Sequence, residues 1–429
     1  MGSPDRIRVV LLGLGTVGTG VARALIERSD TYARRVGVPI ELLKVLVANA
    51  DKKRDVKLPN GMITDNADEA LSTDCDIVIE VIGAEEPAYT YIKRAIDAKR
   101  YVVTGNKEVM AKHGAQLLSA ATKAGVDILY EASVGGGIPI VSPLKRDLSA
   151  NDITSLRAII NGTTNYILTR MSRDGTDFAE ALKGAQDLGY AEADPTNDIE
   201  AHDPVYKLAI LGSLAFHTTV RPEDVYREGI TKLTPRDFRY ADELGYRIKL
   251  LAIARKDANG LSTRVHPTLI AKDQLLANVD GVLNAVQVEG DLTGRVLFQG
   301  AGAGSLPTTS AVMADVLDAA RSIVLGGKPS PWRYTADMAV VPISGLISRH
   351  YLRLEVADQP GVLAVIARSF GDHGVSIASV IQKETGESQT AELVIMTHES
   401  RESDFQASID QIAKVPEVTQ VGSVIRVED

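Results

Sequence analysis

The 429-residue chain has little of what marks the unusual protein classes. Its one cysteine, Cys75, excludes a disulfide framework and a cysteine-built metal centre. Cys75 stands just before the apolar run Ile77-Val78-Ile79 and reads as packing rather than chemistry. No apolar run approaches the roughly 20 residues that span a bilayer. Ile7–Leu12 reads as a strand and not as part of a signal peptide, so cytoplasmic residence is expected. Basic residues are outnumbered, 47 lysines and arginines against 56 acids, and they are dispersed rather than striped. The resulting net charge of −9 argues against a nucleic acid or an anionic membrane as partner and points to a small-molecule substrate.

The chain does have an orderly alternation of elements. Strands are expected at 7–12, 40–48, 76–82, 100–104 and 126–131, separated by helices such as 17–28, 87–98 and 112–124. That order predicts a parallel α/β sheet covered on both faces. From about residue 134 the pattern becomes α+β. A strand at 153–160 leads into Asn161-Gly162-Thr163-Thr164-Asn165 and a helix; a capping box, Asp177 to Glu180, opens another helix that Gly189 closes. A helix from about 204 to 216 and strands at 264–270, 282–289 and 295–299 follow, then a small-residue hinge at 300–310 and a helix at about 308–324. Residues 350–429 read β (351–356), α (361–373), β (375–383), β (390–397), α (402–413), β (417–427), the ferredoxin-like split unit.

Gly13-Leu14-Gly15-Thr16-Val17-Gly18, between the first strand and a helix, fits the dinucleotide fingerprint of a Rossmann-like domain. Gly13 allows the tight turn, Gly15 the approach of a pyrophosphate, and Gly18 close helix–strand packing. The second strand runs into Val47-Ala48-Asn49-Ala50-Asp51-Lys52-Lys53-Arg54. Its acid comes late and three cations follow, which leans toward NADP over NAD; a solvated charge run is the plainer alternative.

Thr104-Gly105-Asn106-Lys107 closes the strand at 100–104, at the sheet edge that faces a ligand crevice, so Lys107 would point toward the nicotinamide or simply to solvent. Residues 189–207 crowd Glu192, Asp194, Asp198, Glu200 and Asp203 ahead of Lys207 and an apolar helix. Asp203 and Lys207 are four apart and share a helix face, which suits either a stabilising ion pair or proton transfer. Asp203 before Pro204 also suits a helix cap. A lysine that exchanges protons at neutral pH must titrate below its usual value near 10.4, which burial and a second cation can bring about.

Taken together, Gly13–Gly18, Asn106-Lys107, the stretches 131–139 (EASVGGGIP), 161–168 (NGTTNYIL) and 189–195 (GYAEADP), and Gly302-Ala303-Gly304 with the following Leu306-Pro307-Thr308 resemble the homoserine dehydrogenase family over residues 7–325. The tail, with Asp358-Gln359-Pro360-Gly361-Val362-Leu363, resembles an ACT domain, the order of the bacterial monofunctional form.

The resemblance implies NAD(P)-dependent interconversion of L-homoserine and L-aspartate 4-semialdehyde. It implies Lys207 and Lys107 as the acid/base pair, Glu192 on the substrate amine, and Asp198 and Asp203 as orienting acids. It places Thr16, Val17, Lys107 and Gly304 at the cofactor, and a sodium ion at Glu131, Val134, Gly136 and Ile138, largely through backbone carbonyls. It also implies L-threonine as an effector of the ACT module, with a dimerisation module that binds nothing as the alternative. The ACT sheet is expected to keep one exposed face and edges that favour pairing with a second copy, in a homodimer or homotetramer.

Three features depart from the family pattern: Ala201 stands where glycine is usual, which strains the turn if φ is positive there, Pro204 follows the aspartate, and Gly105 stands where alanine usually precedes Asn106. The expected organisation is a nucleotide-binding domain at 1–133 with a return helix at 305–325, a catalytic domain at 134–304, a linker at 326–348 and an ACT domain at 349–429. Rival readings fit less well. Aspartate-semialdehyde dehydrogenase needs a nucleophilic cysteine, prephenate dehydrogenase has an all-helical second domain, and a non-catalytic amino-acid sensor would not be expected to keep Lys107, Lys207 and Glu192.

Overall fold

A computed structural model describes residues 4–327, 334–384 and 390–428. Two compact units emerge: Met1–Ile153, Tyr206–Pro222 and Asn284–Asp337 form the first, and Thr154–Val205, Glu223–Leu283 and Met338–Asp429 the second.

The first unit begins as a six-stranded sheet: β1 (Ile7–Leu12), β2 (Ile40–Leu46), β3 (Ile63–Thr64), β4 (Ile77–Glu80), β5 (Tyr101–Thr104) and β6 (Ile128–Leu129). Every pairing is parallel and the order is β3-β2-β1-β4-β5-β6. Ile7 and Val9–Leu12 are fully buried, because a parallel sheet with helices on both faces has no wet side. The helices are α1 (Thr16–Glu27), α2 (Ser29–Val36), α3 (Ala67–Ser72), α4 (Ala88–Asp97), α5 (Lys107–Ala124) and the short α6 (Val141–Lys145). Chain order reverses beside β1, which puts a ligand crevice at its carboxyl end.

The second unit takes β7 (Ile153–Ile159), α7 (Gly162–Asp174), α8 (Phe178–Asp187), α9 (Thr196–Ile199) and the start of α10 (His202–Ala215), then β8 (Tyr226–Arg227), α11 (Pro235–Glu243), β9 (Tyr246–Asp257) and β10 (Gly260–Ala271). β9 and β10 form a long antiparallel hairpin across Ala258-Asn259. The chain then returns to the first unit through β11 (Leu283–Gly290), β12 (Gly294–Ala301) and α12 (Ser305–Val324). Val312, Val316, Ala319 and Ala320 of α12 share one core with Val21 and Leu25 of α1. Each buried valine there contributes roughly 1.5–3 kcal/mol, enough to hold a helix that arrives late in the chain.

The last elements are β13 (Val340–Val341), β14 (Ile347–Ala357), α13 (Val362–Asp372), β15 (Ile377–Glu384), β16 (Thr390–Thr397), β17 (Ser400–Arg401), α14 (Glu402–Ile412) and β18 (Val418–Glu428). The ferredoxin-like order is present, with strands arranged β18-β14-β16-β15. Leu352, Leu354, Phe370, Ile395, Phe405 and Ile409 fill the core under its helices.

The expectation of a free sheet face and open edges is corrected. β18 pairs in parallel with β10, Thr268 opposite Arg426, so one edge is closed within the chain. The other face meets α11: Arg353 Nε donates to Asp237 at 2.7 Å, and the Tyr240 hydroxyl donates to Glu392 at 2.6 Å. Strand alternation explains this, since Leu352 and Leu354 face the helices while Tyr351 and Arg353 face α11. The expected linker at 326–348 lies partly outside the described residues, and within it β13 pairs with β10.

Candidate active site

The glycine loop follows from backbone geometry. Gly13 has φ 103°, and a Cβ on it would lie 2.8 Å from the Val81 carbonyl oxygen. On Gly18 a Cβ would lie 2.1 Å from the Gly13 carbonyl oxygen, whereas over Gly15 there is open space. Two positions are thus closed to side chains by the turn, and the third is open to a ligand. Thr16 and Val17 open α1, whose first N–H groups face the same space. Ser305 donates its hydroxyl to the Thr16 carbonyl at 3.2 Å, so Gly304 (φ 124°) and the start of α12 stand beside the loop. A cavity of about 620 Å³ extends from Gly13 and Gly15 to Asn49, Lys52, Arg54 and Asp65. Arg54 is folded back on its own loop, donating to the carbonyls of Asn49 and Lys52 at 2.6 Å each.

Lys107 follows Asn106, which is held by a network the sequence did not announce. Lys107 is the first residue of α5, half-buried, and Asn106 caps that helix by accepting from the Val109 N–H at 3.1 Å. Asn106 also donates its amide to the Ala84 carbonyl at 2.8 Å and its N–H to the Thr104 hydroxyl at 3.0 Å. Thr104 in turn donates to Glu80 at 2.5 Å. Glu80 is wholly buried at the end of β4, and burial pushes its carboxyl above the usual range despite the bonds from Thr104 and the Ile82 N–H. An acid ending the apolar run Ile77-Val78-Ile79 was the available signal. Lys207 lies on α10, half-buried, one turn along from Asp203.

The expected cation loop is tight and backbone-lined. Gly135 and Gly136 have φ 77° and 55°, and a Cβ on Gly135 would lie 3.3 Å from the Ile138 carbonyl oxygen. A Cβ on Gly136 would strike the Gly302 carbonyl at 2.4 Å. Val134 and Ile138 are buried there. Backbone carbonyls are the kind of oxygen ligand a hard cation takes. The Glu131 carboxylate, however, is engaged elsewhere. It accepts the N–H groups of Ile140, Val141 and Ser142 at 2.6, 2.8 and 2.7 Å and so ties down the start of α6.

In the second unit Asn161 gathers two of the expected acids. It caps α7, its side-chain oxygen accepting from the Thr164 N–H at 2.9 Å. Its amide nitrogen donates to Asp198 at 2.7 Å and to Asp203 at 2.9 Å. Asp203 is 5% exposed, so this contact is sheltered from water. Glu192 is different: its side chain is exposed on the loop after α8, where its carbonyl accepts from Gln186 at 3.1 Å. Asp194 turns back on Thr196, whose hydroxyl and N–H hold its carboxyl below the usual range. Ala201 has φ 64° and is fully buried, so the anticipated strain is real. Pro204 sits in the first turn of α10, where a missing N–H costs nothing.

Comparison with known proteins gives one result along the whole chain. The family model described as "Homoserine dehydrogenase, NAD binding domain" matches residues 13–131, "Homoserine dehydrogenase" 139–317, and "ACT domain" 350–417. A homoserine dehydrogenase of Synechocystis sp. is 45% identical over 98% of this chain and 99% of its own. The crystal structure of one from Thiobacillus denitrificans superposes with a TM-score of 0.94 at 43% identity, covering both chains completely. A hyperthermophilic archaeal homoserine dehydrogenase in complex with NADPH matches 73% of this chain and 97% of its own, with a TM-score of 0.62 at 26% identity.

Proposed function

The chain belongs to the homoserine dehydrogenase family, an NAD(P)-dependent oxidoreductase, and from that premise we propose how its own residues divide the work. The substrate pair is L-homoserine and L-aspartate 4-semialdehyde. Asp198 and Asp203 orient the substrate, with Asn161 keeping the two carboxylates at a fixed spacing. That contact is the observation that carries the reading, because it gathers at one sheltered point the two acids that the resemblance assigns to the substrate. Glu192, on its exposed loop, takes the substrate ammonium.

Lys207 holds and moves the proton of the substrate hydroxyl, and Lys107 assists from the start of α5. Gly13, Gly15, Thr16, Val17, Gly18 and Gly304 receive the dinucleotide, whose nicotinamide, when bound, takes the hydride from the hydroxyl-bearing carbon. Lys52 beside the cavity supports a lean toward NADP, while Arg54, committed to backbone carbonyls, supports it less. The carbonyls of Glu131, Val134, Gly136 and Ile138 would hold a sodium ion that stiffens the loop. L-threonine would act through the C-terminal module, where a cavity of about 350 Å³ is lined by Asp358, Gln359, Gly361 and Gln382. Assembly into a homodimer or homotetramer in the cytoplasm completes the proposal; among the described residues no helix is long and apolar enough to cross a membrane.

One plate tests this: reduction of NAD and of NADP followed by absorbance with L-homoserine, with and without L-threonine and sodium. Turnover with faster NADP reduction and inhibition by L-threonine is expected. Absence of turnover with either cofactor overturns the assignment of residues, and insensitivity to L-threonine overturns the regulatory part.

A further inference from the structure

The second unit contains a polar cavity of about 620 Å³ that the dehydrogenase chemistry does not use. One wall carries Glu200, Arg227, Glu228 and Lys232; the other is Gln406 of α14 and β18 from Val421 to Arg426. Arg426 is committed, donating to Glu228 at 2.8 Å and to Glu402 at 2.9 Å. Arg227 and Lys232 are exposed, and among the described residues neither has a carboxylate at ion-pair distance; Arg227 donates only to the Glu200 carbonyl at 3.0 Å.

The first wall is fastened to the segment that carries the substrate acids. The Ile230 N–H donates to the Ile199 carbonyl at 2.9 Å, and the Thr231 hydroxyl to the Glu200 carboxylate at 3.3 Å. Gly229 lies so close that a Cβ would come within 2.4 Å of the Ile199 oxygen. Ile199 and Glu200 are the two residues between Asp198 and the strained Ala201. The second wall is tied to the same loop through Ser423, whose hydroxyl donates to Asp237 at 2.7 Å and toward the Lys232 carbonyl at 3.4 Å.

We propose that this cavity binds a small α-amino acid as its zwitterion, the carboxylate on Arg227 and Lys232 and the ammonium on Glu200 and Glu228. Its volume falls in the ~300–1,000 Å³ range of small-molecule sites. A bare anion or a bare cation would meet charge of its own sign, whereas a zwitterion meets its complement on both sides. Occupancy draws the 227–233 loop toward β18 and moves residues 199–200 with it, changing the setting of Asp198 and Asp203. This coupling rests on the reading of those two acids as substrate ligands; the binding itself stands on the cavity alone.

The test is calorimetric titration of the full chain, without cofactor, with each common free L-amino acid in turn and with acetate and methylammonium as half-ligands. At least one amino acid should saturate. Its affinity should fall by about tenfold or more in Lys232→Glu and in Arg227→Ala, the scale of a lost charge-assisted hydrogen bond, and stay unchanged in Asp358→Ala. The half-ligands should bind more weakly by a similar factor. If no amino acid saturates, or if both cavity variants bind as the parent does, the site is overturned. The saturating amino acid should also shift the KM for L-homoserine by about fivefold or more; binding with KM unmoved overturns the coupling. Absence of homoserine turnover would count against the proposed function and leave the calorimetry intact.

Discussion

Asn161 donates its side-chain amide to Asp203 at 2.9 Å, and from the same nitrogen it reaches Asp198 at 2.7 Å. One neutral side chain therefore fixes the spacing of two carboxylates that would otherwise move apart. Asn161→Ala should raise the KM for L-homoserine and lower kcat, together costing about tenfold to a hundredfold in kcat/KM, roughly 1.5–3 kcal/mol for a hydrogen bond to charged groups. Asn161→Asp, a third negative charge at this point, should be worse than alanine. Steady-state kinetics of both variants check this, and parent-like values would remove Asn161 from the site.

Lys207→Ala should lower turnover by roughly a hundredfold or more, the scale of a positioned acid/base group. Cofactor affinity, read by fluorescence titration of NADPH, should be unchanged. Near-normal turnover would transfer the proton to Lys107 or to solvent.

The φ of 64° at buried Ala201 should make Ala201→Gly stabilising. A left-handed alanine costs roughly 1–2 kcal/mol, part of which glycine returns as unfolded-chain entropy, so a net gain of about 0.5–1 kcal/mol is expected. Urea unfolding with an unchanged m-value is the measurement. A loss of stability would mean that the methyl group's packing outweighs the strain.

Asp237 accepts from Arg353, Thr234 and Ser423 at 2.7, 2.8 and 2.7 Å and is fully buried. Asp237→Ala leaves the Arg353 guanidinium short of its partner and should destabilise by about 3–5 kcal/mol. Lys383→Ala, which breaks an exposed pair with Glu243, should cost less than about 1 kcal/mol. Equal shifts in denaturation midpoint for the two variants would contradict this account of the α11 contact.

Acid stability should depend on Glu402. Burial alone would raise its carboxyl, but bonds from His350 and Arg426 prevail and hold it at about 2. A carboxyl depressed in the folded state stabilises fully above its unfolded value near 4.5, and that contribution is lost as pH falls toward about 2. His350 adds to the loss from higher pH: burial holds its imidazole below 6.5, so acid favours the unfolded chain there too. Melting temperature should decline below pH 6.5 and more steeply below 4.5, and Glu402→Gln should flatten the lower limb. An unchanged lower limb in that variant would assign the acid loss to other groups.

Local signals carried far. Gly13 and Gly18 announced the nucleotide turn because steric closure at glycine is written in residue type, and Gly15 because it leaves space for a ligand. The six elements of the C-terminal module were legible because apolar runs of strand length alternate with bounded helices. β9 was missed: Ile248–Ala254 is buried on both faces, so no two-residue period marks it. The start of α5 was expected at 112 and lies at Lys107, because Asn106 caps it there, an effect of side-chain geometry rather than of periodicity.

The same division runs through the site. Residue types and spacing by themselves determined the nucleotide loop and the acids ahead of Lys207, since each depends on neighbours within a few positions, and the resemblance carried by such motifs gave the family and the suspicion of strain at Ala201. Tertiary structure alone decided that Asn161 joins Asp198 to Asp203, that Glu80 supports Asn106 beside Lys107, and that Glu131 ties α6 with its carboxylate. It also decided that β18 closes on β10, which leaves the C-terminal module no free edge on that side. Hydrogen bonds between residues distant in sequence depend on how buried polar groups find partners once the core has formed, and no local pattern encodes that choice.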